Sequence, residues 1–436
     1  MTVFKKKTEL AKGVFWPSYL IGIAVIVLGI ANQKLFGSIL DAGLNWVSDN
    51  FGWWLVLFAL ILVLLVFGLA FSKAGDVVIG GAGAKPEYTM WQWFSMSLKG
   101  GIGTGILFWA MGEPIFHMAA PPAAAGAQPF TREAGLFAIS QTMLHWTIAQ
   151  YAMYSLCAVG VALMAYNRRR TISVSSIFEP YLSSSVYGVV KTVVPMVSLF
   201  CIVGALACSM AVGLMQINSG LNFFFGLPID GVTVFAIAAI MVTVYVVSCL
   251  TGIKKGMRVL SSFCTIVFIG LMVYVLCLGP TRFIVDAGTE SLGVFFNRFF
   301  EHSVILPTMA ENETWSKSWI IMFMASFFVY APIIGLFLAR LGKGRTVREF
   351  IFMNIGAPTL FCIVWIAIWG GTTVWLQYTG IMDVWQSVNE KGLEVTIFTI
   401  LSTLPFAKIL AAFFIIAVFF SFSTMADSIT GTMATL

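Results

Sequence analysis

Charged residues are scarce in this sequence. Asp, Glu, Lys and Arg make up only 10% of its 436 residues, whereas 59% are hydrophobic and the mean hydropathy is +0.93. Soluble domains carry about a quarter charged residues. The composition therefore excludes an ordinary soluble protein and indicates a chain that crosses a membrane many times.

The sequence also lacks the residue patterns of common enzymes and metal sites. It has only three histidines, and its seven cysteines all fall inside apolar runs without a Cys-x-x-Cys pair. It contains no P-loop, no Gly-x-Ser-x-Gly and no His-Glu-x-x-His pattern. We therefore expect neither an enzyme nor an ATP-driven pump, and we interpret the cysteines as lipid-facing or packed apolar residues.

Long apolar runs dominate what is present. Each of them is near or above the ~20 residues that a helix needs to cross a bilayer. The ten runs cover about residues 14–33, 52–72, 94–118, 135–166, 189–217, 230–252, 257–279, 318–341, 355–377 and 405–430. The sequence thus predicts an all-α polytopic membrane protein with ten transmembrane helices.

The distribution of basic residues predicts the orientation of these helices. With the N-terminus in the cytoplasm, 17 of the 25 lysines and arginines lie on the cytoplasmic side and seven lie outside. Such an excess on the inner side is typical of multi-pass proteins. We expect a multi-pass protein of the inner (plasma) membrane, and the net charge of +6 is no indication of a nucleic-acid partner.

The third apolar run carries a dense group of glycines, which are Gly100, Gly101, Gly103 and Gly105. Each glycine weakens a helix by roughly 1 kcal/mol relative to alanine. A broken membrane helix exposes backbone groups, which are tolerated only inside protein or along a cavity. The eighth run has a similar expected interruption around Pro332, and two such helices opening successive groups predict an inverted repeat.

These features divide the chain into four expected parts: 1–93, an N-terminal tail with two additional helices; 94–290, a first five-helix repeat; 291–317, an amphipathic periplasmic-side helix and linker; and 318–436, three helices of a second, inverted repeat. If the two repeats matched, two more helices would follow. In the linker, helical spacing places Leu292, Phe295, Phe296 and Phe299 on one face. An ordinary hydrophobic loop is the alternative there.

Aromatic residues are concentrated in two of the runs. The fourth run contains Trp146, Tyr151 and Tyr154, and the eighth contains Phe323, Phe327, Phe328 and Tyr330. Ring faces attract an organic cation by ~0.5 to 2 kcal/mol each and need no hydrogen bond, which a quaternary ammonium group cannot donate. The alternative is that the rings only pack helices together, in a chain with 15% aromatic residues.

Four segments resemble the betaine/carnitine/choline transporter family. They are Gly101 to Pro114, His145-Trp146 with Tyr154 downstream, Phe337 to Phe350, and Ala426-Asp427-Ser428. The resemblance implies a LeuT-like fold with two extra N-terminal helices and two inverted five-helix repeats, the second truncated in this chain. It also implies a homotrimer with contacts through the amphipathic helix, and import of quaternary-ammonium compounds, in many members with sodium.

The resemblance places a substrate-binding aromatic box on Trp146, Tyr151, Tyr154 and Phe327, with Tyr330 one turn further in. The family usually has tryptophan at Ser326, Phe327 and Tyr330, and often at Tyr151. Because Phe and Tyr have weaker quadrupoles than Trp, the substrate is expected to be smaller than glycine betaine or differently shaped. Gly101, Gly103 and Gly105 are expected to expose backbone to the substrate carboxylate and to the ion.

A sodium site is implied between the broken third helix, including Ile102, and helix ten. Thr424 matches one hydroxyl ligand of the family, but Met425 replaces a serine, and a thioether is a poor ligand for sodium. Ser423 or Ser428 is a candidate for the lost hydroxyl. Sodium symport is the preferred expectation. Proton symport, sodium-independent substrate exchange and a non-transporting truncated fragment remain alternatives.

Two carboxylates lie at membrane depth, where charged groups are expensive and usually functional. Glu113 precedes Pro114 near the end of the third helix, where it is expected either to anchor that end or to bind substrate. Asp427 in helix ten is expected to orient the ion-site hydroxyls or to pair with a cytoplasmic arginine.

Overall fold

The computed structural model describes the backbone of residues 12–102, 105–251, 254–308 and 314–433. It describes the side chains of the same residues except 99–102, 248–251, 254–261, 427–428 and 431–433. Of the expected site residues, Gly103 lies outside the described residues. Four others are described by their backbone alone, namely Gly101, Ile102, Asp427 and Ser428.

Helices account for most of the described chain. The first eight are α1 (Lys12–Ala31), α2 (Gln33–Phe71), α3 (Met90–Ile102), α4 (Gly105–Ala119), α5 (Arg132–His145), α6 (Ile148–Ala162), α7 (Ser184–Phe225) and α8 (Gly231–Thr251). The other eight are α9 (Lys254–Leu278), α10 (Thr281–Asn297), α11 (Phe299–Ser303), α12 (Met322–Leu341), α13 (Val347–Tyr378), α14 (Val384–Lys391), α15 (Leu393–Ser402) and α16 (Ala407–Met433).

Helices lie on all ten apolar runs. Within the described residues, seven helical stretches are long and apolar enough to cross a membrane, with α5 and α6 counted as one stretch. The number is eight if α9 and α10, which meet at a bend of 112°, are counted as one further span. The third run is divided into α3 and α4, and the sixth corresponds to α8, whose described side chains end at Val247. The chain is therefore an all-α multi-pass membrane protein.

The centre of the bundle is formed by α4, α5, α6, α12 and α13, and its most extensive helix contact joins α6 to α12. Small residues permit this close approach. A methyl group on Gly335 of α12 would lie 2.7 Å from Sγ of Cys157 on α6. The backbones of the two helices are thereby held close together around the middle of both.

The fourth apolar run is broken, although the sequence predicted one continuous helix. Helix α5 ends at His145 and α6 begins at Ile148. Between them Thr147 has φ −126° and ψ −117°, outside the helical region. No glycine or proline marks this break, so the local sequence gave no signal for it.

The expected interruption of the eighth run at Ala331–Gly335 was wrong. Helix α12 continues through Pro332 to Leu341, and the irregular turn lies earlier, at Lys317–Ile321, where the helix widens to a π-turn. Neighbouring groups in a bundle compensate for the hydrogen bond that a proline removes. Proline alone is therefore a weak predictor of a break in a membrane helix.

The linker after the seventh run is helical, but its faces differ from the prediction. Helix α10 ends at Asn297, and Arg298 separates it from the short α11. Phe295 and Phe299 are buried, whereas Phe296 is 62% exposed. The sequence had placed Phe296 on the same apolar face as Phe295, and the break at Arg298 adds a second exposed ring, Phe300.

The segment Gly342–Glu349, part of the family-like run, joins α12 to α13 and docks on the loop after α2. Three backbone hydrogen bonds join the two, from Ile79 to Arg345, from Gly344 to Ile79 and from Val347 to Val77.

Thr346 and Glu349 form a reciprocal capping box at the start of α13. The guanidinium of Arg345 lies 5.1 Å from the ring centre of Trp93.

Candidate functional site

Two helix ends meet in the centre of the bundle. Helix α4 begins at Gly105, next to residues 103–104, and the break between α5 and α6 places Trp146 directly against it. A methyl group on Gly105 would lie 2.6 Å from Cη2 of Trp146. The glycine-rich segment thus lets the indole ring approach the backbone where the helix starts.

Trp146 is one of five buried rings that contact one another in series, and we call Trp146, Tyr151, Tyr154, Phe323 and Phe327 the aromatic cluster. Phe327 lies in its middle. Its ring centre is 6.2 Å from Trp146 and 6.4 Å from Tyr154, in both cases edge to face, and it stacks on Phe323 at 5.7 Å. The structure therefore brings together four of the five ring residues predicted for the substrate site.

The tyrosines of the cluster differ in their polar contacts. The ring of Tyr151 meets that of Tyr154 edge to face at 6.3 Å. The Tyr151 hydroxyl pairs with the thiol of Cys362 on α13 at 3.5 Å, and the Tyr154 hydroxyl accepts from Gln150. Cys362, interpreted from sequence as a packing residue, is thus a hydrogen-bond partner of a cluster ring.

Tyr330, the fifth predicted ring residue, faces a different helix. Its hydroxyl donates to the carbonyl oxygen of Ala205 on α7 at 2.9 Å and pairs with Ser209 at 2.7 Å. The ring of Phe328 stacks at 5.7 Å on Phe58 of α2. The side chain of Ser326 bonds only to its own helix, through Met322, among the described contacts. Phe327 and Phe323 are therefore the rings of α12 that turn toward Trp146.

The hydroxyl groups of the predicted ion site lie on α16 and are buried. Ser423 donates to the carbonyl oxygen of Phe419, and Thr424 donates to those of Phe420 and Ser421. A hydroxyl oxygen is the type of hard ligand that a sodium ion prefers. Met425, which was expected to replace a family serine, is also buried, at 8% exposure. The role of these residues stays a prediction.

A second polar centre adjoins the cluster through Trp146. Glu113 is fully buried, and its carboxylate accepts three N–H groups. Oε1 accepts from Nε2 of His117 at 3.0 Å and from Nδ1 of His145 at 2.6 Å, and Oε2 accepts from the indole of Trp146 at 2.7 Å. Glu113 thus joins α4 to the end of α5, as the anchoring interpretation expected.

Each of the two histidines has a second hydrogen-bond partner, and the partner of His117 fixes its proton position. The indole of Trp315 can only donate, and it bonds to Nδ1 of His117 at 3.2 Å. His117 therefore has its proton on Nε2 and is neutral. On His145 the second nitrogen, Nε2, lies 3.0 Å from the side-chain amide of Gln141. We call Glu113, His117, His145, Gln141 and Trp315 the carboxylate–histidine network.

The donor atoms of Glu113, His117 and His145 lie within 4.8 Å of one another, a spacing that a metal ion could bridge. The outer contacts do not fit a metal ion. A neutral histidine that binds a metal through Nε2 has its proton on Nδ1 and donates it to an acceptor. Nδ1 of His117 faces the N–H of Trp315 instead. The three side chains thus form a hydrogen-bond network and not a metal centre.

Sequence reasoning missed His117, Gln141 and Trp315 as parts of this site. A signal existed for His117, because Glu113 and His117 are four residues apart and so lie on one face of a helix. The same spacing joins Gln141 to His145. Trp315 comes from the segment before α12, and no sequence spacing connects it to α4.

The fold and the site define a class of protein: an all-α membrane transporter whose helices break beside buried aromatic side chains. Comparison with known proteins agrees. The family model of the betaine/carnitine/choline family transporters (BCCT) matches residues 13–436. The chain belongs to this family.

Three curated relatives illustrate the range of its similarity. A probable glycine betaine transporter of Desulfitobacterium hafniense is 27% identical over 97% of this chain and 84% of its own length. An ectoine/hydroxyectoine transporter of Virgibacillus pantothenticus is 28% identical over the same shares. The glycine betaine transporter OpuD of Bacillus subtilis is 29% identical over 96% of this chain and 80% of its own length.

Proposed function

We propose that this transporter imports a quaternary-ammonium or related methylated compound by secondary transport with alternating access. The observation that carries the proposal is the packing of Phe327 against Trp146 and Tyr154, with Trp146 itself against Gly105 at the start of α4. Ring faces and backbone groups together suit a ligand with a cationic head and a carboxylate or hydroxyl tail. Glycine betaine, choline and carnitine are compounds of this kind.

The cluster supports this substrate class but not a particular member. Only one of its five rings is a tryptophan, and phenylalanine and tyrosine attract a cation less strongly. The relatives carry different compounds by name, among them glycine betaine and ectoine. We therefore propose the substrate class from the aromatic cluster, and transport measurements are needed to identify the substrate.

Sodium symport is the preferred coupling mode. The buried hydroxyls of Ser423 and Thr424 on α16 support it, because oxygen ligands in a dry environment suit a small hard cation. The backbone around Ile102 would complete the site. Met425 favours a second candidate, sodium-independent exchange of related compounds, because its buried thioether supplies no hard ligand.

Uptake of radiolabelled glycine betaine, choline and carnitine into proteoliposomes tests the proposal. Uptake driven by an inward sodium gradient supports the symporter. Uptake indifferent to sodium and accelerated by internal substrate supports the exchanger. Protein-free liposomes are the background control, and equal uptake in both preparations for all three compounds would overturn the proposed function.

Further proposals concern the membrane, the orientation and the oligomeric state of the protein. We propose that it lies in the inner membrane with a cytoplasmic N-terminus, because its basic residues are distributed as in multi-pass proteins of that orientation. We also propose that it forms a homotrimer. The exposed rings of Phe296 and Phe300 support contacts between subunits near α10 and α11.

A further inference from the structure

The carboxylate–histidine network contains one position that can accept a proton without moving any helix. Nε2 of His145 faces the side-chain amide of Gln141 at 3.0 Å. With the amide nitrogen toward the ring, the amide donates and His145 is neutral. With the amide turned by half a rotation, its oxygen faces the ring, and His145 then donates from both nitrogens as a cation.

The amide oxygen of Gln141 is otherwise unused. It is buried without a hydrogen-bond partner within the described residues. A buried acceptor without a partner costs free energy that a turn toward a donor recovers. The oxygen gains such a partner when His145 takes up a proton. Protonation of the ring therefore favours the orientation in which the amide oxygen faces it.

His117 cannot play the same part. Its Nδ1 accepts from the indole of Trp315, and a second proton would place two donors against each other. The carboxylate of Glu113 already accepts three N–H groups and is stabilised as an anion. Among the three titratable groups of the network, Glu113, His117 and His145, only His145 has a partner that suits both of its charge states.

The charge of the network provides the driving force. With neutral histidines the network carries one negative charge that is fully buried, and an uncompensated buried charge is expensive. A positive charge nearby removes that cost. A proton on His145 can supply it, and so can the cationic head of a substrate on the other side of Trp146, whose indole bonds to Glu113 and packs in the aromatic cluster.

Other charged or titratable groups lie on the helices around α5. Arg132 at the start of α5 pairs with Glu290 of α10, and both are about half exposed. Lys317 pairs with Asp49 of α2, and His302 of α11 lies against Phe137. The remaining groups on these helices are Glu133, Tyr151, Tyr154, Cys157, Arg282, Asp286, Glu301, Arg348, Glu349, Cys362 and Tyr378. Among the described contacts, only Glu113 and Gln141 hydrogen bond to the ring of His145.

We propose that His145, held between Glu113 and Gln141, is a proton-binding site that releases its proton when a quaternary-ammonium cation binds at the aromatic cluster. The coupling to substrate rests on the proposed function, whereas proton binding by His145 does not. Like charges on the two sides of Trp146 repel each other in a dry environment. By linkage, acidification weakens binding of the cation to the same extent that the cation weakens binding of the proton.

Nitrogen-15 NMR of histidine-labelled protein in lipid bilayers tests the proton site directly, because the chain has only three histidines. Single-histidine variants assign the signals. Spectra from about pH 8 to about pH 5.5 cover the interval in which an imidazole ordinarily changes its charge. We expect acidification to add a second protonated ring nitrogen to His145, while His117 keeps its proton on Nε2. A His145 that stays neutral over this range, or a His117 that titrates instead, would overturn the proposal.

Binding of choline and glycine betaine to the same protein tests the coupling. Choline affinity should fall roughly tenfold between the same two pH values, and glycine betaine affinity should fall less, because its own carboxylate offsets the cationic head. Calorimetry in two buffers of different ionisation enthalpy should show proton release when choline binds. Choline binding with no proton release and no pH dependence would contradict the coupling.

Variants separate this site from other sources of pH dependence. His145→Gln keeps a donor for Glu113 but cannot be charged, so choline binding should lose its pH dependence. His302→Leu is the matched control and should keep it. If neither compound binds at any pH, the proposed function and the coupling fail together, and the NMR titration still decides whether His145 binds a proton.

Discussion

Trp146 covers Gly105 so closely that a methyl group on the glycine would lie 2.6 Å from the indole. The indole is held from its other side by Glu113, through a hydrogen bond of 2.7 Å. The ring is thus fixed between the start of α4 and a carboxylate in the same helix. Substitutions at residue 105 therefore act on the position of Trp146.

We expect Gly105→Ala to weaken binding of glycine betaine and choline by about tenfold or more, because the indole has to move and its contacts with Phe327 change. Gly68→Ala is a matched control, since a methyl group on Gly68 meets no atom within 4 Å. Equilibrium binding to both purified variants measures the effect. Equal affinities would show that the position of the indole does not matter for the substrate.

Phe327→Ala removes the central ring of the aromatic cluster. If this ring faces the cationic head, affinity should fall by roughly 2- to 30-fold, the range that corresponds to one cation–π contact. Phe328→Ala provides the comparison, because the neighbouring ring stacks on Phe58 of α2 and not in the cluster. A similar small loss of affinity in both variants would assign Phe327 to packing between helices.

Gly213 of α7 permits close contact with α16. A methyl group at this position would overlap the ring of Phe422, so we expect Gly213→Ala to lower the free energy of unfolding by about 1 to 3 kcal/mol. Gly204→Ala in the same helix meets no atom within 4 Å and should raise stability by up to about 1 kcal/mol. Thermal unfolding of both in detergent checks the sign of each change.

Met425→Ser introduces a hydroxyl at a buried position of α16, next to Thr424 in the sequence. Since sodium prefers oxygen to sulfur ligands, the variant should show sodium-dependent uptake that is stronger than in the parent protein. Met425→Leu keeps an apolar side chain and serves as the control. Identical sodium dependence in all three proteins would mean that the coupling ion is bound elsewhere or is not used.

Burial of His302 leads us to expect that the stability of the folded protein depends on pH. Its ring is 1% exposed, and both of its nitrogens are without a hydrogen-bond partner within the described residues. Burial lowers the pKa of this imidazole below its usual value of 6.5. The unfolded chain therefore binds a proton more readily, and the stabilisation that is present above pH 6.5 is lost as the pH falls toward the lowered pKa.

His302→Leu should accordingly reduce the loss of melting temperature between neutral and mildly acidic pH. Melting temperatures of the parent protein and the variant at several pH values measure the difference. The variant places a leucine of similar size against Phe137, so packing is expected to change little. An unchanged difference in melting temperature across pH would show that His302 is not the group that responds.

The sequence predicted the helices well because membrane spans leave a strong signal in hydropathy. It also predicted that Trp146, Tyr151, Tyr154 and Phe327 belong together, and the structure places them in one cluster. Tyr151 and Tyr154 lie on the regular helix α6 and Phe327 lies on α12, so helical spacing decides which way these three rings face. Local pattern is informative wherever a helix alone decides which face a side chain occupies.

Other features depend on contacts between segments distant in the chain. The break at Trp146–Thr147 contains no glycine or proline, whereas α12 continues through Pro332 without a break. In both cases the surrounding bundle, and not local propensity, decides the backbone conformation. The bond from Trp315 to His117 joins residues 198 positions apart, a relation that no spacing in the sequence reveals.

The carboxylate–histidine network also has a consequence for how the bundle opens. Trp315, His117, Glu113 and His145 form one continuous line of hydrogen bonds from the segment before α12, through α4, to α5. If these segments separate, each polar group in the line loses its partner at once, and apolar neighbours cannot replace it. Opening at this end of the bundle therefore requires water to enter, so hydration and movement occur together.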